Sequence, residues 1–307
     1  MNELYNGSVC DINGILVGHE QNFDAMTGVT CVLCPNGATG GVAVRGAAPG
    51  TRETDLLNPE NTVDKLHGVT LCGGSAYGLE AASGVMRWLE EKGYGLEMNV
   101  CKVPIVSAAV IYDLGVGDAK VRPDVQMGYK AAQNASNTFL QGQVGAGTGA
   151  TCGKLIPGGK AHRGGIGTAS IKLPSGTIVS AIIVVNACGD VYDPKDGSVV
   201  ACGNIAGQPV PVLSAMLGGM QQKDLTGQNT TIGVVVTNAK LTKAQANRLA
   251  SVSHDGLALA IRPSHTIMDG DTLFAMATGE VEESNLFLLH AAAVEAVSRA
   301  VLNAVKA

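Results

Sequence analysis

With 307 residues, 46% of them hydrophobic and 15% charged, the chain can bury a substantial core and is not a disordered polypeptide; its 41 glycines suit a tightly turned α/β or α+β protein. A formal net charge of −5, one Trp and four Phe, with no basic stripe, exclude a nucleic-acid surface built on clustered Lys/Arg and stacking aromatics. The longest apolar runs, such as 181–185, are too short to span a membrane, and residues 1–7 show neither a basic nor an apolar leader region, so a cytoplasmic location is expected.

In chain order, 9–19 reads as a turn and a short strand. Residues 27–34 form a second strand, with Pro35-Asn36-Gly37 as the turn to a hairpin partner over 40–45. Residues 46–57 form a long polar loop too ordered in composition to be a linker, and such loops often carry function. A strand at 69–72 meets Gly73-Gly74-Ser75, where Ser75 is the expected N-cap of a helix over 75–92. A glycine-rich turn of this kind either holds an anion or allows close packing. An apolar stretch over 103–112 and a helix-prone stretch over 123–139 precede Gly145–Lys154, which imitates two phosphate-binding motifs and matches neither. A P-loop needs Gly where Thr148 stands and Ser/Thr where Leu155 stands, and a dinucleotide loop lacks its strand and acidic partner.

Strands over 164–173 and 177–186 are joined at Pro174-Ser175-Gly176, and the second ends on Asn186. After a variable loop over 190–228, the polar stretch 224–229 runs into the β-branched strand that contains Ile232 to Val236. A helix over 242–261, a strand over 273–277 after Asp269-Gly270-Asp271, and a closing amphipathic helix over 285–306 complete the chain. Strand and helix runs interrupted by hairpins favour a layered α+β fold over a doubly wound sheet.

The junction Asn229-Thr230 is the chemically suggestive point. A Thr at the start of a buried strand has a fixed hydroxyl, and a cut before it places a free α-amine beside that hydroxyl. An α-amine titrates near ~8 and Lys near ~10.4, so the amine is the better base at neutral pH unless a lysine is desolvated. Asp269 and Asp271 are two apart, which in an extended segment puts both carboxylates on one face. Their expected positive partners are the Thr230 ammonium, Lys154 or a substrate amine. A calcium loop starting at Asp269 fails where Leu273 and Phe274 replace a ligand and the turn glycine. The six histidines show no metal spacing, and the eight cysteines lie in apolar or small-residue surroundings, as reduced core thiols do. Neither a metal nor a cofactor is expected.

Several blocks occur in one order: Gly14–His19, Val44–Asp55, Gly73–Leu79, Thr148–Lys154, Asn229–Ile232 and Asp269–Thr272. On these residues the chain resembles, nearly end to end, the self-processing N-terminal-nucleophile aminopeptidases and amidases of the DmpA and BapA type, together with the nylon-oligomer hydrolases. The resemblance implies a four-layer αββα sandwich, shared with ornithine acetyltransferase, and assembly into homo-oligomers, often tetramers. It also implies a single domain over 1–307 cut before Thr230 into 1–229 and 230–307. It places the nucleophile on Thr230, oxyanion or substrate-orienting groups on Asn186 and Tyr112, a charged helper on Lys154 and an acidic pair on Asp269 and Asp271. Thr with two Asp, in place of the Ser and Ser/Glu pair of the DmpA type, is closer to the nylon-oligomer branch.

The expected function is a cytoplasmic amide hydrolase on short peptides, amino-acid amides or ω-amino-acid oligomers, activated by cleavage at Asn229-Thr230, with no nucleic-acid or membrane partner. The alternatives are an acyltransferase on the same fold, whose Ala-Thr-Met nucleophile site differs from Asn229-Thr230-Thr231, and a catalytically silent oligomeric binding protein.

Overall fold

The β-branched run at 232–236 lies in a strand whose alternate side chains enter two different cores, and that alternation organises the molecule. The structure is a computed structural model, and it describes residues 4–221 and 227–307. Residues 224–226, the start of the polar stretch before Thr230, lie outside the described residues.

The described residues build a nine-stranded mixed sheet. Its strands are β1 (Leu16–Asn22), β2 (Thr27–Val44), β3 (Thr51–Arg52), β4 (Lys65–Cys72), β5 (Val106–Val110), β6 (Gly165–Lys172), β7 (Ile178–Asn186), β8 (Thr230–Ala239) and β9 (Thr272–Val281). The spatial order is β6-β7-β8-β9-β2-β4-β5-β3, with β1 also on β2. The main helices are α1 (Ala81–Glu91), α2 (Val125–Gln133), α3 (Val212–Leu217), α4 (Lys243–Ala260) and α5 (Leu286–Lys306).

Strand β2 divides this sheet into two packed layers. Its first half pairs with β1 and β4, whereas Thr39 to Val44 pair with β9. The expected hairpin at Pro35-Asn36-Gly37 is therefore not formed: the chain continues as one 18-residue strand, and the turn-forming residues make a register shift between Leu33 and Ala38. Between the two layers, Val32, Val69, Leu71 and Ala109 face Ile182, Val184, Ile232, Val234, Phe274 and Met276. On the outer side of one layer, Ile183, Val235, Leu273 and Ala275 pack against α4 and α5. On the outer side of the other, Cys31, Leu33, Cys72 and Ala108 pack against α1 and α2. Three cores between four layers give the αββα arrangement.

Local chemistry explains the helix ends. Thr242 accepts from Gln245 N–H while the Gln245 side chain returns to the Thr242 N–H, a complete capping box for α4. Asn285 caps α5 through Leu288 N–H. Helix α5 is long and apolar enough to cross a membrane by length and composition, but its apolar face is the lid of a core. Two expectations are corrected. The helix expected over 75–92 begins as a 3-10 turn over Ser75–Glu80, capped by Gly74 and not Ser75, because Ser75 itself lies at φ +55°. The helix expected over 123–139 stops at Gln133.

Phe274 is fully buried between the layers, so Phe274→Ala is expected to cost about 3–5 kcal/mol. The expected signature is a lower urea midpoint at unchanged slope; an unchanged midpoint contradicts the interlayer core.

Candidate active site

Thr230 is the first residue of β8 and pairs across the sheet with Asn186, the last residue of β7. On the other side, β9 runs parallel to β8 from Thr272 onward, and the start of β8 lies beside the preceding Asp269–Asp271 segment, where Asp269 bridges Asn229. There Gly270 N–H donates to the Asn229 carbonyl oxygen at 2.9 Å. The Thr230 hydroxyl donates to the same oxygen at 2.5 Å. A methyl group on Gly270 would stand 2.5 Å from the Ala48 carbonyl oxygen and 2.8 Å from Thr230 Oγ1, so only glycine permits this approach. The polar loop after β2 is part of the same structure: Arg45 and Gly46 N–H donate to the Asp271 carbonyl, and Ala48 N–H to that of Asp269.

Asn186 and Lys154 hold the junction from the opposite side. Asn186 is fully buried. Its Oδ1 accepts from Thr151 N–H (3.1 Å) and Lys154 Nζ (2.8 Å), and its Nδ2 donates to the Tyr112 carbonyl (3.2 Å). Lys154 Nζ donates further to the carbonyls of Asn186 (3.0 Å) and Gln228 (3.2 Å). Burial pushes the Lys154 ammonium down to about 8, the range of an α-amine, which is the desolvation on which the choice of base depends. With three acceptors around it, however, this ammonium is a clamp between β7 and the residue before Asn229.

Tyr112 contributes its carbonyl to Asn186 and lines two cavities. One, of about 120 Å³, is lined by Thr230, Ala48, Pro49, Ser75, Ala76 and Tyr112 among others. The other, of about 220 Å³, is lined by Tyr112, Thr151, Lys154 and Gln228 with their neighbours. The glycine turn beside the first cavity does hold an anion, but an internal one: Gly74 N–H donates to Asp113 Oδ1 at 2.7 Å.

The Asp269–Asp271 segment leads into β9 and carries the parallel pairing with β8 back to a bridge between Asp269 and Asn229. Asp271 Oδ1 accepts from Thr231 N–H at 2.6 Å. Its Oδ2 accepts from His265 N–H (3.0 Å) and faces His265 Nδ1 (2.7 Å). Asp269 Oδ2 accepts from Thr266 N–H (2.8 Å) and Oγ1 (2.6 Å) and from the Cys188 thiol (3.6 Å). Burial, then the charge of Asp271, pushes the Asp269 carboxyl up. The hydrogen-bonding partner of Asp271 is thus His265, a residue with neither metal spacing nor a recognisable catalytic motif in the sequence. A His six residues before Asp271, across a turn, was the available signal.

Lys154 binds a proton in the unfolded chain up to about 10.5 and in the folded one only below about 8. Between those values the unfolded state holds the extra proton, so stability rises with pH. Lys154→Met should flatten that rise in thermal midpoints taken from pH 8 to 10, and an unchanged slope rules out a buried ammonium.

The profile described as Peptidase family S58 matches residues 7–307. The chain is 48% identical over 295 residues to an uncharacterized aminopeptidase of Mycobacterium leprae, covering 90% of this chain and 79% of that protein. It is 33% identical over 279 residues to a 6-aminohexanoate-oligomer endohydrolase of a Kocuria strain, covering 89% and 75%. Its fold matches, with TM-score 0.74 and 20% identity over 98% of this chain and 86% of the other, an L-aminopeptidase D-Ala-esterase/amidase from Ochrobactrum anthropi that is described as a variant of the N-terminal-nucleophile hydrolase fold. The chain therefore belongs to peptidase family S58 and is an amide hydrolase with the N-terminal-nucleophile fold.

Proposed function

We propose that Thr230 is the nucleophile and that the chain activates itself by cutting the Asn229-Thr230 bond. The observation that carries this is the Thr230 hydroxyl at 2.5 Å from the Asn229 carbonyl oxygen, with Gly270 N–H bound to that same oxygen. Attack of Oγ1 on the Asn229 carbonyl carbon breaks the C–N bond, forms an ester and transfers a proton to the Thr230 nitrogen. Water then hydrolyses the ester, giving the Asn229 carboxylate and the free Thr230 amine. Gly270 N–H stabilises the negative oxygen that develops on the way.

The same parts serve turnover. Departure of the Asn229 carbonyl frees Gly270 N–H for a substrate carbonyl oxygen. The Thr230 amine accepts the hydroxyl proton and passes it to the departing substrate amine, and water releases the acyl group from Oγ1. Lys154 and Asn186 hold the strand start, Tyr112 shapes the cavities, and Asp271 fixes Thr231. Asp269, pushed up by burial, braces the turn that presents Gly270. The small apolar lining at Ala48, Pro49, Ala76, Val110 and Ile111 favours short acyl groups. Short peptides, amino-acid amides and linear ω-amino-acid oligomers such as those of 6-aminohexanoate are the proposed substrates, in line with the names of the relatives. The eight free thiols support a reducing, cytoplasmic setting, in which the enzyme works as a homo-oligomer.

A panel of amino-acid p-nitroanilides and 6-aminohexanoate oligomers tests this. The wild type should hydrolyse at least one class, Thr230→Ser should retain turnover, and Thr230→Ala should abolish it. Gly270→Ala should lose on the order of 100-fold in kcat while remaining folded. Equal turnover by Thr230→Ala would exclude Thr230 as nucleophile.

A further inference from the structure

The acid that fixes the start of β8 is itself held by a residue with no role in the chemistry so far described. His265 reaches Asp271 Oδ2 twice, through its backbone N–H (3.0 Å) and its ring Nδ1 (2.7 Å). The other oxygen of Asp271 accepts Thr231 N–H, one peptide unit from the nitrogen that becomes the Thr230 amine. His265 lies at φ +57°, in the left-handed region that a non-glycine residue adopts at a cost. Its Nε2 faces the His254 carbonyl at 3.5 Å, and its ring packs edge-on against the His254 ring at 4.8 Å.

A lone buried carboxylate beside the new amine would create a conflict. It would hold the strand start in place but stabilise the ammonium form, removing the free base that Thr230 needs. A cation on the far oxygen of that carboxylate resolves the conflict. We propose that His265 is a positioning residue for Thr230: as an imidazolium it clamps Asp271 and compensates its charge, so that Asp271 orders the strand start without an uncompensated negative charge beside the amine. This rests on Thr230 being the N-terminal nucleophile.

The other charged and titratable groups around the pair come from each neighbouring element. His254 on α4 is driven neutral, first by burial, its pKa lowered to about 4, and Arg45 at the end of β2 binds Ser251 through its guanidinium. Asp269 binds Thr266 and the Cys188 thiol, and Lys154 lies across β8 on Asn186. Burial alone would lower the His265 pKa, but the hydrogen bond and charge of Asp271 outweigh it and raise the pKa above the ordinary value. The charged form of His265 is accordingly more favoured than that of an ordinary histidine.

His265→Asn separates charge from shape, since Asn tolerates a positive φ and its amide keeps one donor on Asp271. The experiment is the pH profile of kcat/KM for the processed wild type and variant on the amide substrate that the wild type turns over best. In the variant the acidic limb should move up by about one pH unit, with roughly tenfold lower kcat/KM at pH 7 and recovery toward the wild type at alkaline pH. A loss of equal size at every pH, or an unshifted limb, overturns the proposal while leaving the hydrolase reading intact. A wild type inert on every amide overturns both. Should the variant fail to fold, histidine NMR of the wild type decides: His265 charged at pH 7 supports the proposal, and a neutral ring at pH 6 overturns it.

Discussion

The molecule depends on holding one peptide bond, between Asn229 and Thr230, at the mouth of a strand that is buried along its whole length. Burial supplies rigidity: β8 lies between β7 and β9, so its first residue has no freedom to swing. The ends of the neighbouring strands then differ in a useful way. β7 runs as far as Asn186, opposite Thr230, whereas β9 starts opposite Ile232 and is preceded by Gly270. The Asn229 carbonyl oxygen thus receives both the Thr230 hydroxyl and the Gly270 N–H.

Around that bond, several buried polar groups are tied to one another. Lys154 spans Asn186 and Gln228, Asn186 reaches Thr151 and Tyr112, and Asp271 joins Thr231 to His265. Buried charges that are paired in this way are costly to remove singly, since each deletion strands its partner in a low-dielectric interior. The site is therefore stiff before any substrate arrives, and electrostatic preorganisation of this kind is what amide cleavage requires.

Much of this was legible in the sequence because it is local. The β-branched run at 232–236 announced a buried strand, the apolar pattern over 242–261 announced a helix, and Pro174-Ser175-Gly176 announced a hairpin that does form. The family resemblance named Thr230, Asn186, Lys154, Asp269 and Asp271 together, and the fold assembles them from four separate segments. What escaped is what tertiary pairing decides. Pro35-Asn36-Gly37 has the chemistry of a turn, yet β4 pairs on both sides of it and keeps β2 continuous. His265 gains meaning only once the turn folds it back onto Asp271.

The central claim concerns one bond, and intact-mass spectrometry of the purified protein under denaturing conditions tests it directly. The account predicts two species, residues 1–229 and 230–307, the smaller of 78 residues and beginning with Thr230. A single uncut chain after prolonged incubation, or a cut that leaves Thr231 as the new terminus, would contradict it.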